Sequence, residues 1–330
     1  MAGTGHGGRI TRSGRFGWDW GDLASVPQSG TGTGATERGP VRVRRLAGLL
    51  IVALVGAVPV AAPARAALPD ADMEAVVLAA QLDPVKTGTG ITPGAGPSVL
   101  LVERALAARG LLASQYVDGH FGTSTVSAYA AYQRSLGFTG LDANGLPGRT
   151  SLTRLGTDRF RVVRPIGPGD RVTYLGWTVN TRTRAMLQEA QRLAGRSIAL
   201  TQGSYNPGGD PSSAGTHDGG GVVDISVSGM SSTTRTGVVR RLREVGFAAW
   251  YRTAIPGLWG PHIHAVAVSD TDLSRPAQEQ VGDYYLGRDG LAGDGPDTGP
   301  AVTKRTWEDY QRSRTATAVS AAADRTGLSS

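Results

Sequence analysis

Cysteine is absent from the 330 residues of this chain, which excludes disulfide bonds, thiolate zinc fingers, iron–sulfur clusters and cysteine nucleophiles. Aromatic residues make up only 6% of the chain and charged residues only 18%, whereas 48 glycines and 18 prolines interrupt it at many points. The length suits one to three ordinary domains. We therefore expect a chain divided into several segments instead of one compact domain.

The basic charge is unevenly distributed. The formal net charge is +7, but residues 1–66 alone contain eight arginines against three acidic residues, a net charge of +5. The remaining chain therefore carries only +2. Because nucleic-acid binding depends on neutralising phosphates with Lys and Arg, we expect no nucleic-acid partner.

A secretory signal peptide is predicted over residues 41–66. An uncharged apolar run over 46–62 is followed by the small-x-small site Ala64-Arg65-Ala66. The basic residues before the run are Arg42, Arg44 and Arg45. A retained membrane anchor is the alternative, but Pro59 and the alanine-rich end disfavour it. We expect a secreted or cell-wall protein with no stable membrane insertion after cleavage.

Residues 1–40 form an unusual leader for a signal peptide. They are rich in Gly, Thr, Ser and Arg and show no apolar periodicity. The segment is predicted to be disordered, or else to lie outside the true protein if translation starts at Val41.

Clusters of glycine and proline divide the rest of the chain. Residues 67–97 hold one short helical pattern, at 72–82, and then KTGTGITPGAGP, and we assign them as a whole to a linker. Apolar spacing over 98–157 predicts three helices joined by VDGHFG and NGLPGRTS. Residues 158–175 include PIGPGD and form a second predicted linker.

Residues 176–292 predict an α+β domain. Helical spacing is found over 181–194, which ends at Gly195, and over 234–245. Short runs rich in Ile, Val and aromatic residues predict strands at 197–201, 222–227, 247–251 and 262–268. Residues 293–330 are predicted to be a flexible tail with a helical patch at 307–312.

Histidines and one aspartate in this domain suggest a metal site. His217 lies in a glycine-rich loop and precedes Asp224, in VVDISV, with six residues between them. His262 and His264 project from one face of their strand, because the strand period is two. Two imidazoles and one carboxylate suit Zn²⁺ with an open fourth position. The alternative is ordinary polar roles, with Asp224 capping a turn and His262 packing beside Pro261.

The segments SAGTHDGGGVVDI and WGPHIHAV resemble the zinc D-alanyl-D-alanine carboxypeptidase and hedgehog-type metallopeptidase fold, whose pattern is His-x6-Asp and later His-x-His. The resemblance covers residues from about 176 to 270. It implies that His217, Asp224 and His264 bind zinc, and that His262 is a catalytic histidine that does not.

Residues 98–155 resemble a three-helix peptidoglycan-binding domain, which implies peptidoglycan as the partner. The matching residues are Val102, Leu106, Gly110, Asp118-Gly119, Phe121-Gly122, Thr125, Tyr132-Gln133, Gly145, Gly148-Arg149-Thr150 and Leu155.

Two positions depart from the carboxypeptidase pattern. An arginine is expected shortly before the first ligand histidine, where it would hold the terminal carboxylate of the substrate, and Gln202 stands there. The serine two residues before that histidine is Gly215 here. Neither change removes a metal ligand, but the loss of the arginine favours an endopeptidase or another amide hydrolase. We predict that Gln202 and Tyr205 contact the substrate.

The sequence thus predicts a secreted, monomeric zinc peptidase that cleaves the peptide stems of peptidoglycan, as a carboxypeptidase or an endopeptidase. With no glutamate placed as general base, His262 is the predicted acid–base group. The alternative is a non-catalytic peptidoglycan-binding protein that retains the fold, a reading that Gln202 and Gly215 favour.

Overall fold

The computed structural model describes residues 67–85 and 92–326. The predicted leader (1–40) and signal peptide (41–66) lie outside the described residues. Within them, no helix has the length and hydropathy needed to cross a membrane. The described chain is a mixed α/β structure with three small sheets.

The N-terminal part is mainly helical. In chain order its elements are β1 (Asp70–Asp72), α1 (Met73–Leu82), α2 (Gly96–Ala107), α3 (Thr123–Ser135), α4 (Arg149–Gly156) and β2 (Arg161–Val163). Strand β2 pairs in parallel with β1, so the end of the helical part lies beside its beginning. The three predicted helices of 98–157 are therefore present as α2, α3 and α4.

The C-terminal part contains a hairpin, a four-stranded antiparallel sheet and four helices. Its elements are β3 (Arg171–Tyr174), β4 (Trp177–Asn180), α5 (Thr181–Ala194), β5 (Leu200–Gln202), β6 (Val222–Ser226), α6 (Ser232–Glu244), β7 (Phe247–Arg252), β8 (His262–Ala267), α7 (Arg275–Leu286) and α8 (Trp307–Thr326). The strand order of the main sheet is β5-β6-β8-β7.

One face of this sheet carries polar residues in two adjacent rows. Residues paired across strands share a face of the sheet. The pairs Gln202↔Asp224, Asp224↔His264 and Trp250↔His264 form the first row. The pairs Ser226↔His262 and Arg252↔His262 form the second.

The same face is apolar at its other end, where it joins the core of the helical part. Val222 and Val266 pack in one buried cluster with Val77, Leu106 and Tyr129. The opposite face, which includes Val223, Ile225 and Ile263, packs in a second cluster with α5 and α6. A shared core therefore crosses the predicted boundary at 158–175.

Helix α1 differs from the predicted linker over 67–97. Asp72 caps the helix by accepting hydrogen bonds from the amides of Glu74 and Ala75. The Gln81 side chain accepts a hydrogen bond from the Ser269 amide at 2.9 Å and donates one to the Asp270 carbonyl at 3.2 Å. Residues 67–85 are thus part of the folded core, and residues 86–91 of the predicted linker lie outside the described residues.

The C-terminal segment also differs from the predicted flexible tail. Trp307 and Tyr310 pack in the second cluster. The guanidinium of Arg182 donates two hydrogen bonds of 2.9 Å to the carboxylate of Glu308. Gly246, with φ +105°, lets the backbone of Trp307 approach, since a Cβ there would lie 2.7 Å from the Trp307 nitrogen. The first turns of α8 are therefore fixed by tertiary contacts.

Replacing Trp307 with alanine is expected to lower the free energy of unfolding by about 3 kcal/mol, the cost of removing a large buried aromatic side chain. Urea denaturation measures this change. Val319→Ala on the same helix is the matched control, because Val319 is 64% exposed. Equal stabilities of the two variants would contradict the packing of α8 as a structural element.

Candidate metal centre

His217, Asp224 and His264 converge, with one potential ligand atom of each lying within 4.8 Å of the others. Asp224 Oδ1 is 3.4 Å from His217 Nε2 and 2.8 Å from His264 Nδ1. His262 Nε2 lies 3.7 Å from the same oxygen. The structure thus brings together the four residues singled out in the sequence, while their zinc-binding and catalytic roles stay predictions.

The orientation of His217 is set by its loop. Gly215 has φ +76°, and the chain then turns through 216–218. His217 Nδ1 lies 2.7 Å from the carbonyl oxygen of Gly203, so Nδ1 carries the hydrogen and Nε2 a free lone pair. That Nε2 is buried and has no hydrogen-bond partner within 67–85 and 92–326.

His264 is oriented by Gln280 of α7. The Gln280 side-chain nitrogen donates to the Gly290 carbonyl at 3.0 Å, which directs its oxygen toward His264 Nε2, 2.8 Å away. Nε2 therefore holds the hydrogen, and Nδ1 turns a lone pair toward the Asp224 carboxylate. Two acceptors 2.8 Å apart repel each other unless a cation or a proton lies between them.

The electrostatics favour the metal-binding forms of Asp224 and His264. Burial alone would raise the pKa of Asp224, but imidazoles of His217 and His264 that present a proton to Oδ1 in place of a metal outweigh it and hold that pKa far below its ordinary range. Burial lowers the pKa of His264, which favours the neutral imidazole. An ionised carboxylate and neutral imidazoles are the forms that bind a metal, so the donor set fits Zn²⁺.

The cluster lies in the wall of a cleft of about 790 Å³. Gln202 lines the cleft, is only 8% exposed, and its side-chain nitrogen has no hydrogen-bond partner in the described part of the chain. Trp250 is buried, and its ring stacks on that of His264 with centroids 6.4 Å apart. Gln202 thus lines the same cleft as the metal cluster, and its contact with a substrate stays a prediction.

Tyr205 is placed elsewhere. Its backbone has φ +58° and its amide donates to the Gly219 carbonyl at 2.8 Å. The hydroxyl donates to Asp272 at 2.7 Å, and Arg171 covers the ring at 3.9 Å. These contacts hold the side chain in a different cleft, so the structure does not bring the predicted substrate contact of Tyr205 to the metal cluster.

The sequence analysis did not identify two polar residues that lie at the site. Gln280 contacts His264 from α7, a helix that the sequence reading did not predict. Arg252 lines the cleft from the end of β7. Neither belongs to a motif, because the contacts of Gln280 and the position of Arg252 depend on how separate elements meet.

Comparison of the chain with protein-family models, with curated proteins and with solved structures finds no match. The functional assignment therefore depends on the geometry of the cluster and on the motif resemblance.

Replacing Gln280 with leucine is expected to weaken zinc binding 10- to 100-fold, the usual effect of losing the hydrogen bond that orients a ligand histidine. Competition with a chelating dye measures the affinity. Gln311→Leu makes the same change at an exposed position of α8 and should leave zinc affinity unchanged. Zinc affinity equal to that of the unmodified chain in Gln280→Leu would contradict the orienting role.

Proposed function

We propose that this chain is a zinc-dependent peptidase that acts on the peptide stems of peptidoglycan. The observation that carries the proposal is the convergence of two imidazoles and one carboxylate in the wall of a cleft, with a third histidine, His262, beside them. Hydrogen bonds that His217 donates to the Gly203 carbonyl and His264 donates to the Gln280 side-chain oxygen orient both imidazoles before any metal binds. Such preorganisation supports a metal site more strongly than proximity alone.

Zinc at this site would supply a Lewis acid and lower the pKa of a water molecule. His262 is suited to proton transfer because its Nδ1 lies 2.8 Å from the Gly260 carbonyl, which leaves Nε2 free to exchange a proton at the cleft. The side-chain nitrogen of Gln202, which has no hydrogen-bond partner among the described residues, is suited to a substrate carbonyl.

The wall substrate is supported by the resemblance of residues 98–155 to peptidoglycan-binding domains. Glu103 of α2 holds the predicted DGHFG turn in place. Its carboxylate accepts hydrogen bonds from the amides of Asp118 and Gly119 at 3.0 and 2.8 Å, and from the Thr125 hydroxyl of α3 at 3.0 Å. The residues of that turn that match the peptidoglycan-binding pattern thus join α2 to α3. Secretion and attachment to the cell wall are part of the same proposal.

A second candidate, a non-catalytic wall-binding protein, is favoured by one observation. The position of the family serine is Gly215, which has φ +76° and would place a Cβ 3.2 Å from Asp218 Oδ2. A serine side chain would be strained there. The loop that presents His217 therefore needs glycine at this position. It lacks the serine hydroxyl of the carboxypeptidase pattern, and this difference favours the non-catalytic candidate.

The test is digestion of purified peptidoglycan fragments by the zinc-loaded chain, followed by mass spectrometry. We expect loss of a residue or cleavage within the peptide stem, which a chelator stops and added zinc restores. Sedimentation with intact sacculi is measured in parallel. Sedimentation without any cleavage, with zinc bound, would favour the non-catalytic candidate.

A further inference from the structure

Arg252 is the one Arg or Lys among the described residues that line the cleft. It ends β7 and is paired with His262 of β8, so both residues are on the face that carries the metal cluster. The side chain is only 6% exposed. Arg252 thus builds a positive charge into the cleft wall, at the strand position next to the predicted acid–base histidine.

The guanidinium is held on two sides and lacks a partner on a third. Nη1 donates to the Asp289 carbonyl at 2.6 Å, and the group lies 5.0 Å from the centroid of the Trp250 ring. Nη2 is buried and makes no hydrogen bond to any residue of the described chain. Asp289, Asp224 and Asp297 attract the charge electrostatically, yet none of them bonds to Nη2.

A buried guanidinium nitrogen without an acceptor is unfavourable, and an incoming anion removes that cost. Burial lowers the pKa of Arg252 to about 10, so the group is still cationic at neutral pH. A guanidinium fixed by a carbonyl and an aromatic ring matches the planar geometry of a carboxylate.

We propose that Arg252 binds the free C-terminal carboxylate of a peptide substrate. This inference rests on the proposed peptidase function and deepens it. Side chains paired across antiparallel strands have Cβ atoms about 5 Å apart, so Arg252 and His262 start as neighbours on the cleft face of the sheet. A terminal carboxylate bound by Arg252 would direct the preceding peptide bond toward the metal cluster.

Gln202, on the β5 side of the cluster, stands where the carboxypeptidase pattern has an arginine. Arg252 supplies the corresponding positive charge from the β7 side. Gln202 and Arg252 lie on opposite sides of His264 in the sheet order. The substrate class that follows is a peptide with a free terminal carboxylate, so the activity is that of a carboxypeptidase.

The test is calorimetric binding of two probes to the full chain in the presence of a chelator, which prevents turnover. The probes are N-acetyl-D-alanyl-D-alanine, with its free carboxylate, and the same dipeptide with a C-terminal amide. The unmodified chain is expected to bind the acid at least about 10-fold more tightly than the amide, as for a hydrogen-bonded charge pair. In Arg252→Gln the ratio should fall to about 1, with the affinity for the amide unchanged.

Arg240→Gln is the matched control, because Arg240 is exposed on α6, and it should keep the full preference. Arg252→Lys keeps the charge but loses the forked geometry, so its preference should be several-fold lower. Circular dichroism confirms folding, and Arg252→Lys decides the outcome if Arg252→Gln does not fold. Equal binding of the two probes by the unmodified chain, binding of neither, or full preference in the Arg252 variants would overturn the proposal.

Hydrolysis by the zinc-loaded chain is measured separately on peptidoglycan fragments. Because the binding assay contains no zinc, it reports on Arg252 even if the peptidase function fails. A carboxylate preference without hydrolysis would keep the anion site and reject the peptidase. Hydrolysis without a carboxylate preference would keep the peptidase and reject the anion site.

Discussion

Replacing His262 with alanine is expected to slow the proposed hydrolysis strongly and to leave zinc binding intact, if His262 is the acid–base group. The residue lies beside the convergent cluster of His217, Asp224 and His264, with its Nε2 3.7 Å from Asp224 Oδ1. Positioned acid–base groups contribute about 10²- to 10⁴-fold to rates, so kcat should fall by that factor.

Zinc binding and hydrolysis are measured on the same preparation of His262→Ala. Zinc content is determined by elemental analysis, and cleavage of peptidoglycan fragments by mass spectrometry. His120→Ala is the control, because His120 lies in the turn between α2 and α3, and should retain both properties. Loss of zinc in His262→Ala would show that His262 is a ligand, and full activity would remove it from the proposed mechanism.

Replacing His217 with alanine should weaken zinc binding by more than about 100-fold, beyond the effect of losing an orienting hydrogen bond. His217 Nε2 is a buried lone pair within 3.4 Å of Asp224 Oδ1, so its removal takes one of three donors from the site. Hydrolysis should be lost as well.

Thermal unfolding with and without zinc gives a second measurement. A metal that binds only the folded state stabilises it by RT ln(1 + [Zn]/Kd), so zinc should raise the Tm of the unmodified chain. The same zinc concentration should leave the Tm of His217→Ala almost unchanged. An equal rise in both proteins would place the metal elsewhere and contradict the site.

Elements with local start and stop signals were predicted closely. Helix α5 spans Thr181–Ala194, as the apolar spacing indicated, because Asn180 caps its start and Gly195 ends it with φ +61°. The strands β6, β7 and β8 are also confirmed, since their Val, Ile and aromatic runs lie between clear turns. In both cases the deciding residues lie within a few positions of each other.

Elements stabilised by distant contacts were not predicted. Helix α7 was missed although Ser274 precedes it, a proline lies in its first turn and Gly287 ends it with φ +78°. The contact of its residue Gln280 with His264, in contrast, has no local signal. Helix α8 extends the predicted patch at 307–312 to Thr326, and its first turns are fixed by Arg182, 126 residues before Glu308. Such contacts depend on which surfaces meet after folding.

The sequence by itself determined the spacing of His217, Asp224, His262 and His264 and the strand period that places the last two on one face. Only the tertiary structure decided which nitrogen of each imidazole faces the cluster, because those orientations depend on hydrogen bonds to Gly203, Gly260 and Gln280. It also placed Arg252 beside the cluster, and Tyr205 outside it, because strand register and loop contacts join residues that are distant along the chain.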